Sequence, residues 1–399
     1  MTFRLKNFNK LSAEITSKKF TNKRGKNLVR KKLLFDAKGS QPYTEKGRSP
    51  FSVLRSLNNG RNLSILAICL LLSFSACGGG GGGSNDGVTP ASAPIPDPTS
   101  WTAVSGSAST FGTSGIYGIA YGGGKFVAVG VLGRMAYSTD GINWTGVSGT
   151  ASTFGSANSI FGIAYGGDKF VAVGYSGNMA YSTDGINWTA VSGSPFGIHT
   201  TYGIAYGGDK FVAGCYVGTM AYSTGGINWT TVSGTASTFG TSTIQGIAYG
   251  GGMFVAVGDS GKIAHSLDGI NWTAVSDSKF GASNNTICAI AYGGGKFVAV
   301  GVLGKMAYSE DGINWTGVSG SASTFGTATI RGIGSDGGTF VAVGDSGSMA
   351  YSPDGINWTA VSGTANTFGT VPIEGIAYGG GKFVAVGSGG SMAYSGTLP

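Results

Sequence analysis

Side chains able to do acid–base or nucleophilic chemistry are few between residue 97 and the C-terminus. The whole chain has two histidines, His199 and His265, and His265 stands where sister segments carry Tyr. Only two arginines, Arg134 and Arg331, occur in this stretch. Five of its aspartates, Asp140, Asp184, Asp268, Asp311 and Asp354, sit at one recurring place in a repeated phrase. Apart from Asp97, the remaining carboxylates are Asp168, Asp209, Asp259, Asp277, Glu310, Asp336, Asp345 and Glu374. Cleaving a glycosidic bond takes two carboxyl groups facing each other across it. Only Asp259, Asp345 and Glu374 are expected to share a face, and the two aspartates each lead an Asp-Ser-Gly turn. Cys215 and Cys288 fall in segments that are not neighbours, and no cysteine or histidine spacing suits a metal. Both read as small gap-filling thiols. The residues therefore predict no catalytic group, no metal and no cofactor.

What positions these residues is a repeat. Trp101, Trp144, Trp188, Trp229, Trp272, Trp315 and Trp358 follow one another at 43, 44, 41, 43, 43 and 43 residues. A full copy reads IFGIAYGGDKFVAVGYSGNMAYSTDGINWTAVSG (160–193). Four short runs, Ile160–Tyr165, Lys169–Val173, Met179–Ser182 and Asn187–Val191, are separated by the turn signals GGDK, GYSGN and TDGI. That spacing predicts a four-stranded antiparallel meander. One such sheet cannot bury both faces, so the copies must stack about an axis. The last copy ends at MAYS (392–395) without a tryptophan, and the missing piece stands at 97–104 as DPTSWTAV. An array completed by its own beginning is a closed ring. The expected fold is all-β, a seven-bladed β-propeller of four-stranded antiparallel blades, with the last blade closed by the N-terminal strand. Each inter-copy connection also holds one Phe (111, 154, 196, 239, 280, 325, 368), expected to plug the gap between blades.

The formal charge of +8 conceals two unlike parts. Residues 1–62 hold 16 Lys/Arg against 3 Asp/Glu, while residues 63–399 hold 10 against 15. A nucleic-acid partner is not expected, because the repeats lack the clustered cations that displace phosphate counterions. Residues 1–62 read as an over-extended gene start or a disordered arm. The run LSILAICLLLSFSA (63–76) is too short to span a bilayer but suits a signal-peptide core. Phe74-Ser75-Ala76-Cys77 resembles a bacterial lipoprotein cleavage box, which implies that Cys77 is lipidated and residues 63–77 form the signal. Gly78 after that cysteine implies sorting to the outer membrane. An ordinary cleaved signal with an incidental cysteine is the alternative. Residues 78–96 then act as a tether to the propeller of 97–399.

The phrase YSTDGINW (Tyr137–Trp144) and its copies resemble the Asp-box of sialidase-like, BNR-type propeller repeats, in which Ser, Asp, Gly and an aromatic shape the hairpin between strands three and four. Here the pattern is Ser138-x-Asp140-Gly141-x-x-Trp144. Gly225 takes the aspartate's place in one copy and Asp97 fills it in the split copy. A position that accepts glycine is holding a backbone shape. Sialidases of this fold use an arginine triad, and two arginines cannot supply one.

Comparing the copies shows where the fold leaves freedom. One variable place precedes the glycine of strand one: Tyr117, Phe161, Tyr202, Gln245, Cys288, Arg331 and Glu374. The other is the turn between strands two and three, with Tyr175 and Tyr216. Both are expected on one rim of the disc, where Tyr117, Phe161, Tyr202, Tyr175, Tyr216, Arg331 and Glu374 are candidate ligand-binding residues. Drift among duplicated copies at tolerant loop positions is the competing account. The expected role is a monomeric, non-catalytic binding or scaffolding module, lipid-anchored in the cell envelope, with a glycan or an envelope protein as partner. A sialidase-like glycosidase and an envelope assembly factor are the alternatives.

Overall fold

The structure is a computed structural model. It describes the short strands Phe20–Thr21 and Asn27–Leu28 and residues 96–397, apart from 106–110, 149–153, 156–157, 234–237, 282–284, 320–324 and 363–366. The chain divides into two units, Met1–Gly87 and Val88–Pro399. In the first, the two short strands pair antiparallel, Phe20 opposite Leu28. The apolar run 63–76, Cys77 and the glycine tether lie outside the described residues.

The second unit is a seven-bladed β-propeller. Blade one shows the pattern: Ile116–Gly122, Lys125–Gly130, Met135–Ser138 and Thr145–Gly146 pair in that order, all antiparallel. The other blades follow from first strands at Ile160–Gly166, Thr201–Gly207, Ile244–Gly250, Ile287–Gly293, Ile330–Ser335 and Ile373–Gly379. First strands abut around the ring, and that of blade seven meets that of blade one. In blade seven the fourth strand is Pro96–Ala103, paired with Met392–Thr397 through Trp101 opposite Ser395 and Thr102 opposite Tyr394. The ring closes as the split repeat predicts, which leaves the strand Met392–Thr397 no open edge.

Glycine in the first strand is a packing requirement. A Cβ on Gly118 would stand 2.9 Å from the Phe161 carbonyl, and one on Gly162 would stand 2.3 Å from the Tyr202 carbonyl. Seven apolar clusters fill the gaps between blades. One joins Val127, Val129 and Met135 of blade one to Phe154, Ile163, Phe170 and Trp188 of blade two. All seven connection phenylalanines are buried. Truncating a buried Phe costs about 3–5 kcal/mol. Lysines stitch neighbouring blades: Lys125 Nζ donates to the Asp184 carbonyl at 2.7 Å and Lys382 Nζ to the Asp140 carbonyl at 2.8 Å.

The fourth strand departs from expectation. The sequence pattern begins it at Asn187, but the ladder starts at Thr189 and holds two residues. The cause is the preceding turn. Asp184 Oδ1 accepts the N–H groups of Ile186 and Asn187, and the Trp188 indole donates to the Gly185 carbonyl. Those groups are committed to the turn, so pairing waits until they are passed.

Candidate functional site

Each face of the disc is built by one pair of connections. On one face lie the turns between strands three and four. In blade one the Ser138 hydroxyl donates to Asp140 Oδ1 at 2.9 Å and accepts the Gly141 N–H at 2.8 Å. Asp140 also receives the N–H groups of Ile142 and Asn143 and the Asn143 side-chain amide. Gly141 has φ +74°, and a Cβ there would meet Val384 Cγ2 of blade seven at 2.8 Å. Burial pushes the Asp140 carboxyl up, but the bonds from Asn143, Ile142 and Ser138 more than reverse this and hold it well below 3.8. Asp354, in the same setting, falls to about 2. The split copy rebuilds the turn: Asp97 Oδ1 accepts the Thr99 N–H at 2.9 Å and the Trp101 indole donates to the Pro98 carbonyl. In blade three, Ser223 still accepts the Gly226 N–H at 2.9 Å although Gly225 supplies no carboxylate. These carboxylates accept their hydrogen bonds from donors of their own turns.

The opposite face carries the two variable places, as expected. The Val131 N–H donates to the Gly115 carbonyl and the Tyr175 N–H to the Ser159 carbonyl, tying each two–three turn to the entry of its own blade's first strand. The strand-one positions stand at the centre of that face. Each is the extra residue of a β-bulge: Ile116 pairs with Gly130 and Gly118 with Val129, leaving Tyr117 between them. The same shift isolates Phe161, Tyr202, Gln245, Cys288, Arg331 and Glu374. A bulged residue leaves the ladder and is re-aimed. Here all seven are turned into the mouth of the central channel, an open cavity of about 530 Å³.

The mouth has two unlike arcs. Over blades one to three, Tyr117 and Phe161 stack at 5.2 Å between centroids and Phe161 meets Tyr202 at 5.0 Å. Over blades four to seven the lining is polar. Arg331 pairs through Nε with Asp345 and through Nη1 with Glu374 Oε2 at 3.2 Å. The Ser388 hydroxyl donates to Glu374 Oε1 at 3.2 Å. Asp259 accepts from the Gln245 amide at 3.2 Å and from the Thr286 hydroxyl at 3.0 Å, both on Oδ1. Burial is the chief cause holding the Cys288 thiol up, to about 11; Asp259, Asp345 and Glu374 add to it against the opposing pull of Arg331. At neutral pH this thiol is protonated and a poor nucleophile.

Five of the seven candidate residues, Tyr117, Phe161, Tyr202, Arg331 and Glu374, thus line one cavity. Tyr175 and Tyr216 do not line it; they stand on the two–three turns, 51% and 57% exposed. Gln245 and Cys288 occupy the same repeat position as those five and line the cavity too, yet residue type alone did not single them out as site residues. Asp259 and Asp345 stand on the two–three turns like Tyr175 and Tyr216, but their side chains bond the lining residues Gln245, Thr286 and Arg331. Their position immediately after strand two of a repeat was the available signal. The expected gap-filling role holds for Cys215, which is buried, while Cys288 lines the channel. Among the described residues no group of three or more His, Cys, Asp or Glu could hold a metal.

No protein-family model matches the chain, and no curated protein matches it in sequence. Solved structures resemble it in fold. YCF48 from Cyanidioschyzon merolae superposes with TM-score 0.56 at 18% identity, over 74% of this chain and 98% of that one. A structure of YCF48 bound to D1 peptide gives 0.59 at 16%, over 77% and 100%. A catalytically inactive virginiamycin B lyase from Staphylococcus aureus with quinupristin gives 0.57 at 11%, over 75% and 99%. What the chain shares with these proteins is the propeller architecture.

Proposed function

We propose that this propeller is a non-catalytic binding or scaffolding module whose open channel mouth receives a segment of a protein partner. The observation that carries the reading is the stacked arc of Tyr117, Phe161 and Tyr202 facing a polar arc across one open cavity. Aromatic side chains bury large area at low entropic cost and dominate recognition surfaces. The fold relative YCF48 was solved with a peptide, which supports a peptide over a glycan as the occupant. The self-satisfied turns support reading the repeats as Asp-box-like elements of purely structural use. On this reading Cys77 carries the lipid, residues 78–96 are the tether, and the disc is displayed at the outer membrane by a monomer.

The test probes the full chain on arrays of peptides and of glycans, with Tyr117→Ala, Phe161→Ala and Tyr202→Ala in parallel. Binding to peptides that each substitution weakens by about tenfold, the scale of one lost aromatic anchor, is expected. Interactions left unchanged by all three substitutions reject the site. Mass spectrometry of the mature N-terminus tests the anchor, with a diacylglyceryl adduct on Cys77 as the expected result.

A further inference from the structure

We infer that the channel mouth selects a basic side chain, Lys or Arg, of that partner segment, its cationic end against Asp259 and its apolar stem along Tyr202. The inference rests on the peptide-binding reading above and adds to it the chemistry of the residue recognised.

The argument begins with charge. Arg331 and Glu374 line the mouth, and Asp259 and Asp345 stand on turns bonded to its lining residues Gln245, Thr286 and Arg331, three negative groups to one positive. Arg331 is already divided between Asp345 and Glu374. That leaves Asp259, which among the described residues has no cationic partner. Its two hydrogen bonds come from neutral groups and both fall on Oδ1, which leaves Oδ2 without a hydrogen bond among the described residues. The other basic side chains of this face are occupied farther out. Arg134 donates to the Phe111 carbonyl, Lys262 to the Phe239 carbonyl, and Lys305 to the Phe280 carbonyl.

Geometry supplies the second half. Asp259 accepts from the side chain of Gln245, and a Cβ on Gly203, the residue after Tyr202, would stand 3.3 Å from the Gln245 carbonyl, so Tyr202 and the Gln245–Asp259 pair are neighbours. Burial first, then Tyr216 and Asp259, raise the phenol's pKa. An open carboxylate oxygen beside aromatic rings suits a cation with an apolar stem: the charge pairs, the stem packs on the ring, and the ring face attracts the charge again. A neutral sugar could donate a hydroxyl to Asp259 but would leave its charge uncompensated, and an acidic segment would add to that charge.

The experiment uses the full chain on an array of tetrapeptides of varied sequence in Gly-Ser flanks, with neutral oligosaccharides on the same surface. The variants are Asp259→Asn, Asp259→Lys and, as a control on a paired carboxylate outside the mouth, Asp277→Asn. Equal melting temperatures and elution volumes establish that each folds. The wild type should enrich Lys and Arg. Asp259→Asn should weaken the best basic peptide by about tenfold, as for one charge-assisted bond, and Asp259→Lys should enrich Asp and Glu. Peptide binding with no basic preference, or a basic preference intact in Asp259→Asn, overturns this inference and leaves the peptide reading standing. A wild type that takes oligosaccharides, or only self-associates, overturns both.

Discussion

The two faces of the disc carry the same seven-fold repeat and treat it in opposite ways. On the face of the three–four turns, five complete copies hold the same Ser, Asp, Gly, Asn and Trp. Each carboxylate there accepts bonds from donors of its own turn. At the channel mouth the seven equivalent positions hold six different residue types. The difference lies in what the backbone asks of the side chain. The turn needs an acceptor for N–H groups that no strand partner reaches, so the residue type is dictated. The bulge sets its residue outside the ladder and points it into open space, so almost any side chain serves the fold.

The strongest way to break this contrast is to open the ring. Deleting Pro96–Ala103 removes the outer strand of blade seven with Trp101 and bares the edge of Met392–Thr397. We expect aggregation or a loss of stability larger than the roughly 3–5 kcal/mol of a single buried Trp→Ala change. Thermal unfolding with light scattering checks it. A truncated chain that melts with the intact one would remove closure as the source of order on both faces.

The next effect sharpens the comparison inside one face. Gly225 occupies the aspartate's place in blade three; its φ is not positive, and a Cβ added there would meet nothing within 4 Å. Gly225→Asp should complete the turn and stabilise the protein by about 1 kcal/mol. The gain has a sign in pH. A carboxyl held below its ordinary 3.8 contributes stability above that value and loses it as pH falls through the depressed one, about 2 for Asp354. Stability should therefore stay level down to about pH 4 and drop below it, more steeply in Gly225→Asp than in the wild type. Acid titration of the melting temperature decides the matter; parallel curves would mean that the new carboxyl is not held by the turn.

The smallest expected effect concerns a blade that broke the pattern. The Thr201 hydroxyl is buried with no hydrogen-bond partner and pairs across the ladder with Cys215, where the other blades place Ile and Gly. Thr201→Val should stabilise by about 1 kcal/mol by removing an unsatisfied polar group. Gly214→Val should destabilise, since a Cβ there meets Ile244 Cγ2 at 2.5 Å. Denaturant midpoints of the two variants test whether side chains flanking a bulge tolerate change one at a time.

Most of the architecture was legible from periodicity alone. Seven tryptophans at one spacing and a copy split between 97–104 and 392–395 were enough for blade number and closure. The connection phenylalanines were legible for the same reason. What escaped was direction. Nothing in GIYGIAYG says that Tyr117 is an unpaired residue between Ile116 and Gly118, because a bulge is a property of how its flanking residues pair with Gly130 and Val129 of the next strand. The face was therefore legible, but not the turn of these side chains into the channel. Tyr175 and Tyr216 were grouped with it on residue type, a criterion blind to where a turn projects. Asp259 was discounted because Asp-Ser-Gly also spells a turn; its hydrogen bonds to Gln245 and Thr286, one on the next blade's entry, depend on tertiary contact.

The bulge makes the channel mouth a word of seven letters spelled on an unchanging page. Because each letter hangs clear of the ladder, one can be rewritten without disturbing its neighbours' register. Gene duplication supplies the page, and point substitution then revises the text. Descendants of this chain could come to greet quite different molecules while keeping the same folded disc.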